Sequence, residues 1–334
     1  MSALRTPLPV VLLAAALVPG QAGSPQSRRE AMSLGRDLVP FISDATASLV
    51  LATVTSAAWA PAPDEPGYED GVVHLRVLER FSASGPDAGA NGTIKGRRYG
   101  DPLKRRSMGF DGWNVVPLDP GSRLVFAIRV PASSDWVALA AEAVASNDTI
   151  VSDLHRAFEL ERISDPMLLP RQYEQALGSG HDLLLRYGLD AITRRGRLPR
   201  GQAAEAMVRA LTATSLTANM KLNIVQEATK RPIYEDQYGA DRTNGLVIGA
   251  AASLLVAEPN PEWALIWAQT LTAALVPTFS PDPNKDREIR AGLIRAVPEP
   301  ARHGVVAALT AVAGAHPDDL RFRQLAERWS ATIR

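Results

Sequence analysis

Val72-Val73-His74-Leu75-Arg76-Val77-Leu78-Glu79 alternates strictly, with Val73, Leu75 and Val77 on one face and His74, Arg76 and Leu78 on the other. A period of two marks a half-buried strand, because successive side chains of an extended chain point to opposite sides. Upstream, Ser48-Leu49-Val50-Leu51-Ala52-Thr53-Val54-Thr55 is short and rich in strand formers. Downstream, Leu124-Val125-Phe126-Ala127-Ile128-Arg129-Val130 reads as a third strand and Trp136-Val137-Ala138-Leu139-Ala140 as a fourth. The connections are rich in Gly, Pro, Asp and Ser, with the longest loops expected over 60–71 and 82–92.

From about residue 150 the period lengthens. Ile150, Leu154, Ala157 and Phe158 form an apolar stripe at helical spacing. Helices are then expected over about 169–177, 180–195, 201–213, 216–230, 243–257, 261–275, 286–296, 301–314 and 318–332. Pro199-Arg200-Gly201, Pro259-Asn260-Pro261 and Ala315-His316-Pro317-Asp318 punctuate them. Such a series buries its stripes either as a compact bundle or as a HEAT-like stack of helix pairs. No residue pattern recurs at a 40-residue period.

The chain opens with Arg5 and the apolar run from Val10 to Val18, then Pro19, Gly20 and the small residues Ala22, Gly23 and Ser24. That order is a secretory signal peptide over 1–23, cleaved near Ala22 or Gly23, with 24–44 as an N-terminal segment. The run is too short to span a bilayer, and so is the uncharged run from Leu246 to Ala257, which suits a buried helix. The 334 residues carry no net charge and no cysteine. Charge balance argues against intracellular nucleic acid or an anionic membrane as bulk partner. The lack of thiols excludes thiolate metal sites and a Cys nucleophile. Alanine and arginine richness with few lysines suggests a high-GC bacterial genome, so the expected location is periplasmic or secreted.

Four stretches in the first half carry a resemblance. Ser48 to Ser56 carries Val-Leu-x-x-Val-Thr, and Val73 to Phe81 resembles a Val-x-Val-Leu-Glu-x-Phe strand, with Leu75 at its first position. Asn91-Gly92-Thr93-Ile94 resembles a turn and the strand after it, and Pro120-Gly121-Ser122-Arg123-Leu124-Val125-Phe126-Ala127 resembles a Pro-Gly-x-x-Tyr-Leu-Val-Phe element without its tyrosine. Together they resemble the OB-like barrel of netrin and tissue-inhibitor-type domains. The resemblance implies a fold, not an activity: the family's disulfides are missing, and its inhibitors act through an N-terminal cysteine that this chain lacks. The expected fold class is α+β and multidomain. An OB-like β-barrel or sandwich over 45–147 precedes an all-α HEAT-like solenoid or helical bundle over 148–334.

Three groups of residues are candidate sites. Lys95, Arg97, Arg98, Lys104, Arg105 and Arg106 crowd together with Tyr99 among them and Phe110 and Trp113 beyond. Basic and aromatic side chains on an OB-type barrel suit an anionic polymer, or else form a solvated loop. Asp282, Asn284, Asp286 and Glu288 alternate as calcium ligands do, but Arg287 stands at the glycine position and Leu293 where a bidentate Glu belongs. The plain alternative is a polar loop with Asp286 capping a helix. Trp263 and Trp267 share a helix face, as a partner surface or as core. The histidines 74, 155, 181, 303 and 316 are scattered, and Ser179, His181 and Asp182 lie too close in sequence to form a triad together.

No nucleophile elbow, phosphate loop or dinucleotide fingerprint is present, and no cofactor is expected. The leading expectation is an exported, non-enzymatic binding or scaffold protein of the bacterial envelope, engaging a protein or an envelope component. One alternative is an exported hydrolase whose acids and histidines converge only in three dimensions, which a His–acid pair in a deep pocket would favour. The other is a polymer-binding barrel.

Overall fold

The structure is a computed structural model and describes residues 34, 37–107, 112–131, 135–145, 148–229, 242–275 and 299–333. The expected signal peptide, the expected helix over 286–296 and the Asp282–Glu288 stretch lie outside the described residues. Five strands, β1 (Ser48–Pro61), β2 (Tyr68–Arg80), β3 (Asn91–Tyr99), β4 (Arg123–Arg129) and β5 (Asp135–Ala143), close into a barrel in the order β1-β2-β3-β5-β4. All neighbours are antiparallel except β3 and β5, which pair in parallel only at Thr93–Asp135 and Ile94–Trp136. A short helix, α1 (Val39–Ile42), precedes the barrel, and α2 (Pro102–Ser107) and α3 (Gly112–Val115) lie between β3 and β4.

The alternation in β2 is as expected: Val73, Leu75 and Val77 line the interior with Val50, Ala52, Val54, Ile94, Leu124, Phe126 and Ile128. Part of this interior is filled by tryptophans seated on strand glycines. A Cβ on Gly71 would lie 2.3 Å from the Trp59 ring, on Gly96 2.5 Å from Trp113 and on Gly92 2.3 Å from Trp136. Gly71 and Gly96 are register partners, so two missing side chains make one trough. In it Trp59 and Trp113 meet edge to face with centroids 6.2 Å apart.

Two strand limits differ from expectation. Half of 60–71 is strand rather than loop: β1 runs to Pro61 and β2 starts at Tyr68, joined through Gly67 at φ +91°. The Ala-rich end of β1 has weak strand propensity, and the seat of Trp59 on Gly71 outweighs it. The basic stretch is likewise not one loop. Lys95, Arg97, Arg98 and Tyr99 belong to β3, while Lys104, Arg105 and Arg106 belong to α2.

The second half is helical. Its described helices are α4 (Ile150–Arg162), α5 (Leu169–Leu177), α6 (Asp182–Leu189), α7 (Arg200–Leu211), α8 (Ala218–Thr229), α9 (Arg242–Ala257), α10 (Pro261–Leu275), α11 (Glu299–Ala315) and α12 (Leu320–Ile333). A π-helical turn over Asp190–Arg194 extends α6. The helices pack in two rows: α5, α7, α9 and α11 side by side in one, and α4, α6, α8, α10 and α12 in the other.

Barrel and helices share apolar core. Leu49 and Leu51 of β1, Val125 and Ala127 of β4 and Ala140 of β5 face outward from the barrel and are buried in one cluster with α1 and the helices. This explains why β1 and β4 are apolar on both faces over 48–52 and 124–128. Two polar ties cross the junction: His155 Nε2 to Glu79 Oε1 at 2.7 Å, and Arg186, which lies 2.6 Å from Asp37 and 4.0 Å from Glu142.

Candidate functional site

The basic residues named from the sequence lie along the β2–β3 ladder and the helix after it. Register sets Asp70 opposite Arg97, Glu69 opposite Arg98 and Tyr68 opposite Tyr99. Arg97 is only 15% exposed and is met by three carboxylates, Asp70 at 2.6 Å, Asp64 at 2.7 Å and Glu65 at 3.2 Å. The hydrogen bond to Asp70 above all, then that to Asp64, holds its guanidinium above the ordinary arginine pKa despite burial. Arg98 donates to Glu69 at 2.9 Å and lies over the Trp59 ring, 4.0 Å from its centroid. Lys95 pairs with Asp135 at 2.7 Å. Arg105 donates to the Gly100 carbonyl at 2.9 Å and lies 3.7 Å from Glu69. The Tyr99 ring packs on Tyr68 with centroids 4.5 Å apart, and its backbone N–H donates to Asn114 of α3 at 2.9 Å. Lys104 is exposed on α2; the side chain of Arg106 is not described. Alternation of sign across two strands thus converts an apparent cationic patch into a cross-linked end of the barrel.

Trp267 is 2% exposed and Trp263 half-buried, both against the helical core. The exposed side of α10 carries Glu262, Ile266 and Gln269 instead. In the other row, α9 buries Val247, Ile248, Ala251, Ala252 and Leu255 and exposes Leu246, Ser253, Val256 and Ala257. The uncharged run over 246–257 is therefore buried on one side only. Its row neighbour α11 is uncharged over 304–315 and exposes Ala307, Thr310, Ala311 and Gly314. Further along the row, α7 exposes Glu205 and Arg209, the latter 2.7 Å from Glu174. The change from charged to uncharged outer faces falls between α7 and α9. The run in α11 is legible in the sequence as twelve residues without charge, though it carries no motif with chemistry of its own.

Besides His155–Glu79 at the junction, a second His–acid pair joins distant segments, this one within the helical half. Asp153 is 3% exposed and accepts from the Thr149 hydroxyl at 2.9 Å, with His181 Nδ1 at 2.6 Å from its other oxygen. Ser179 does not join it through the ring: its hydroxyl donates to the Ala176 carbonyl and accepts from the His181 backbone N–H. A second polar network holds helix ends together. Tyr187 donates to Glu161 at 2.8 Å, Arg195 pairs with Glu161 and Asp190, and Arg197 donates to the carbonyls of Leu160, Glu161 and Ile163. Burial is the first cause raising the Tyr187 hydroxyl above its ordinary pKa. These groups satisfy the C-terminus of α4.

Among the described residues no group of three or more His, Asp or Glu is placed to hold a metal ion, and no helix is long and apolar enough to cross a membrane. In comparisons with known proteins, no family model, no curated protein and no solved structure matches the chain.

Proposed function

We propose that this chain is an exported, non-enzymatic binding protein of the bacterial envelope, in which an OB-like barrel leads into a HEAT-like stack that docks a protein partner. The observation that carries it is the pair of adjacent helices α9 and α11, each uncharged over twelve residues and each exposing one side. A contiguous exposed face without charge is what protein interfaces select, because charged groups are costly to desolvate at their centre. The strand order, with short helices between β3 and β4, supports the OB-like reading. Packing in two rows, each helix against near neighbours, supports the HEAT-like one.

The polymer reading loses its main support, since Lys95, Arg97, Arg98 and Arg105 are engaged within the barrel. The hydrolase reading keeps one observation, the His181–Asp153 pair. Site-specific photocrosslinking separates these readings. A crosslinker at Val256 or Ala311 is expected to capture one protein from the envelope fraction, and a crosslinker at Ser152 on α4 is not. Equal capture from all three positions sinks the docking face. Ester or amide hydrolysis abolished by His181→Ala would replace it with the hydrolase.

A further inference from the structure

We propose that the outward face of β1, β2 and β3 around His74 binds a phosphoryl oxyanion, a site separate from the helical docking face. The register of β1 on β2 slips between Val54 and Ser56, so Thr55 and Ser56 are both exposed opposite His74. Bulges re-aim side chains in this way. His74 is the register partner of Ser56 on one side and of Thr93 on the other. The Thr93 hydroxyl lies 3.1 Å from His74 Nδ1 and fixes the ring, and Thr55 donates to the His74 carbonyl at 3.1 Å. Together with Asn91 and Gly92 these residues line an open hollow of about 360 Å³.

Arg76 supplies the charge. It lies two residues from His74 on the same exposed face of β2, opposite Asn91, and has no ion-pair partner among the described residues. The neighbouring cations Lys95 and Arg97 are paired. The carboxylate of Asp135, opposite Thr93, is held by Lys95 at 2.7 Å. The hollow is therefore lined by hydroxyls, an imidazole and a carboxamide, and the Arg76 guanidinium fork stands beside it on the same face of β2. Donors converging from several directions suit the tetrahedral oxygens of a phosphoryl group, and the fork matches two of them.

Calorimetric titration of the whole chain with inorganic phosphate at low ionic strength tests this. Saturable binding is expected, weakened about tenfold or more by Arg76→Gln, the loss of a charged hydrogen bond. His74→Asn and Thr93→Val weaken it less, and Arg98→Gln leaves it unchanged, because Arg98 is already engaged by Glu69 and Trp59. Phosphatidylcholine vesicles with and without phosphatidic acid identify the source. Binding to the phosphatidic acid vesicles that Arg76→Gln abolishes assigns a lipid headgroup, and phosphate binding without vesicle binding assigns a soluble phosphoryl compound. No saturable phosphate binding, or binding that Arg76→Gln and His74→Asn both leave intact, overturns the site. The substituted residues lie on the surface, and unfolding curves matching the wild type show that each variant is folded.

Discussion

In the barrel, a residue that looks available is already used: Arg97 meets three carboxylates, Arg98 meets Glu69 and Trp59, and strand glycines seat tryptophans. In the helical array, residues that look unremarkable are left over: Leu246, Val256, Ala307 and Ala311 are exposed within two runs of twelve residues without charge. Cross-strand register brings opposite charges together from distant sequence, so a cluster of like charges in one strand says little about net field. A helix presents its outer stripe from a single segment, so absence of charge there survives folding. Charge patterns thus need the partner strand to be interpreted, whereas helical stripes do not.

Glycine sharpens this comparison with the largest effect. Gly96→Val places atoms where the Trp113 ring lies, a rigid group that cannot give way. The cost is expected to exceed about 3 kcal/mol, beyond the usual range of core overpacking, and the barrel should unfold first in denaturant followed by tryptophan fluorescence. Gly249→Ala on α9 is the contrasting change. Nothing lies within 4 Å of its added Cβ, so it should stabilise by about 0.5–1 kcal/mol. Similar responses at both positions would contradict the seating of Trp113 on the strand.

Arg97→Leu comes next. It leaves Asp64, Glu65 and Asp70 facing one another around an apolar side chain. A loss of about 2 kcal/mol is expected, below the ~3–5 kcal/mol of a fully buried pair because two of the carboxylates are more than a third exposed. Salt should recover part of it by screening the repulsion, and urea melts at two salt concentrations measure that recovery.

The fold was largely legible. The alternation of Val73, Leu75 and Val77, the doubly apolar runs in β1 and β4 and the change of period at residue 150 all follow from side-chain spacing alone. The full length of β3 was not, because Gly92, Gly96 and four charged or polar neighbours resemble a loop until tryptophans fill the glycine positions from elsewhere. The candidate sites were less legible. The basic residues were visible but the acids that neutralise them sit some thirty residues away. The calcium-like stretch from Asp282 to Glu288 lies outside the described residues. His74 and Arg76 appeared only as the polar face of a strand, since the bulge that doubles the hydroxyls opposite them leaves no mark in composition.

At the junction the expected effect is small and opposite in sign. Burial is the main influence raising the Glu142 pKa, with Arg186 opposing it. A carboxyl whose folded pKa lies above its unfolded value costs stability when ionised. That cost is full above the folded pKa and fades as pH falls towards the unfolded value of about 4.3. Glu142→Gln should therefore stabilise the fold at pH 7 by roughly a fraction of a kcal/mol given partial exposure, seen as a slightly higher melting temperature, and the advantage should vanish near pH 4. A lower melting temperature at pH 7 would mean that the contact with Arg186 outweighs burial.

The smallest effect on stability carries the most weight for function. Val256 is 54% exposed, and Ala311 is exposed on the neighbouring helix of the same row. The double substitution Val256→Lys and Ala311→Lys should change unfolding by less than about 0.5 kcal/mol, as exposed positions do. It places two positive charges on the proposed docking face, so with the crosslinker moved to the exposed Leu246 of α9 it should abolish capture of the proposed partner, while Ile266→Lys on α10, in the other row, leaves capture intact. Loss of capture with unchanged melting isolates docking from folding, a separation that substitutions at Arg97, Arg98 or the strand glycines do not offer, because those residues also hold the barrel together. Retained capture in the double variant would move the interface off α9 and α11 and remove the contrast between the two halves.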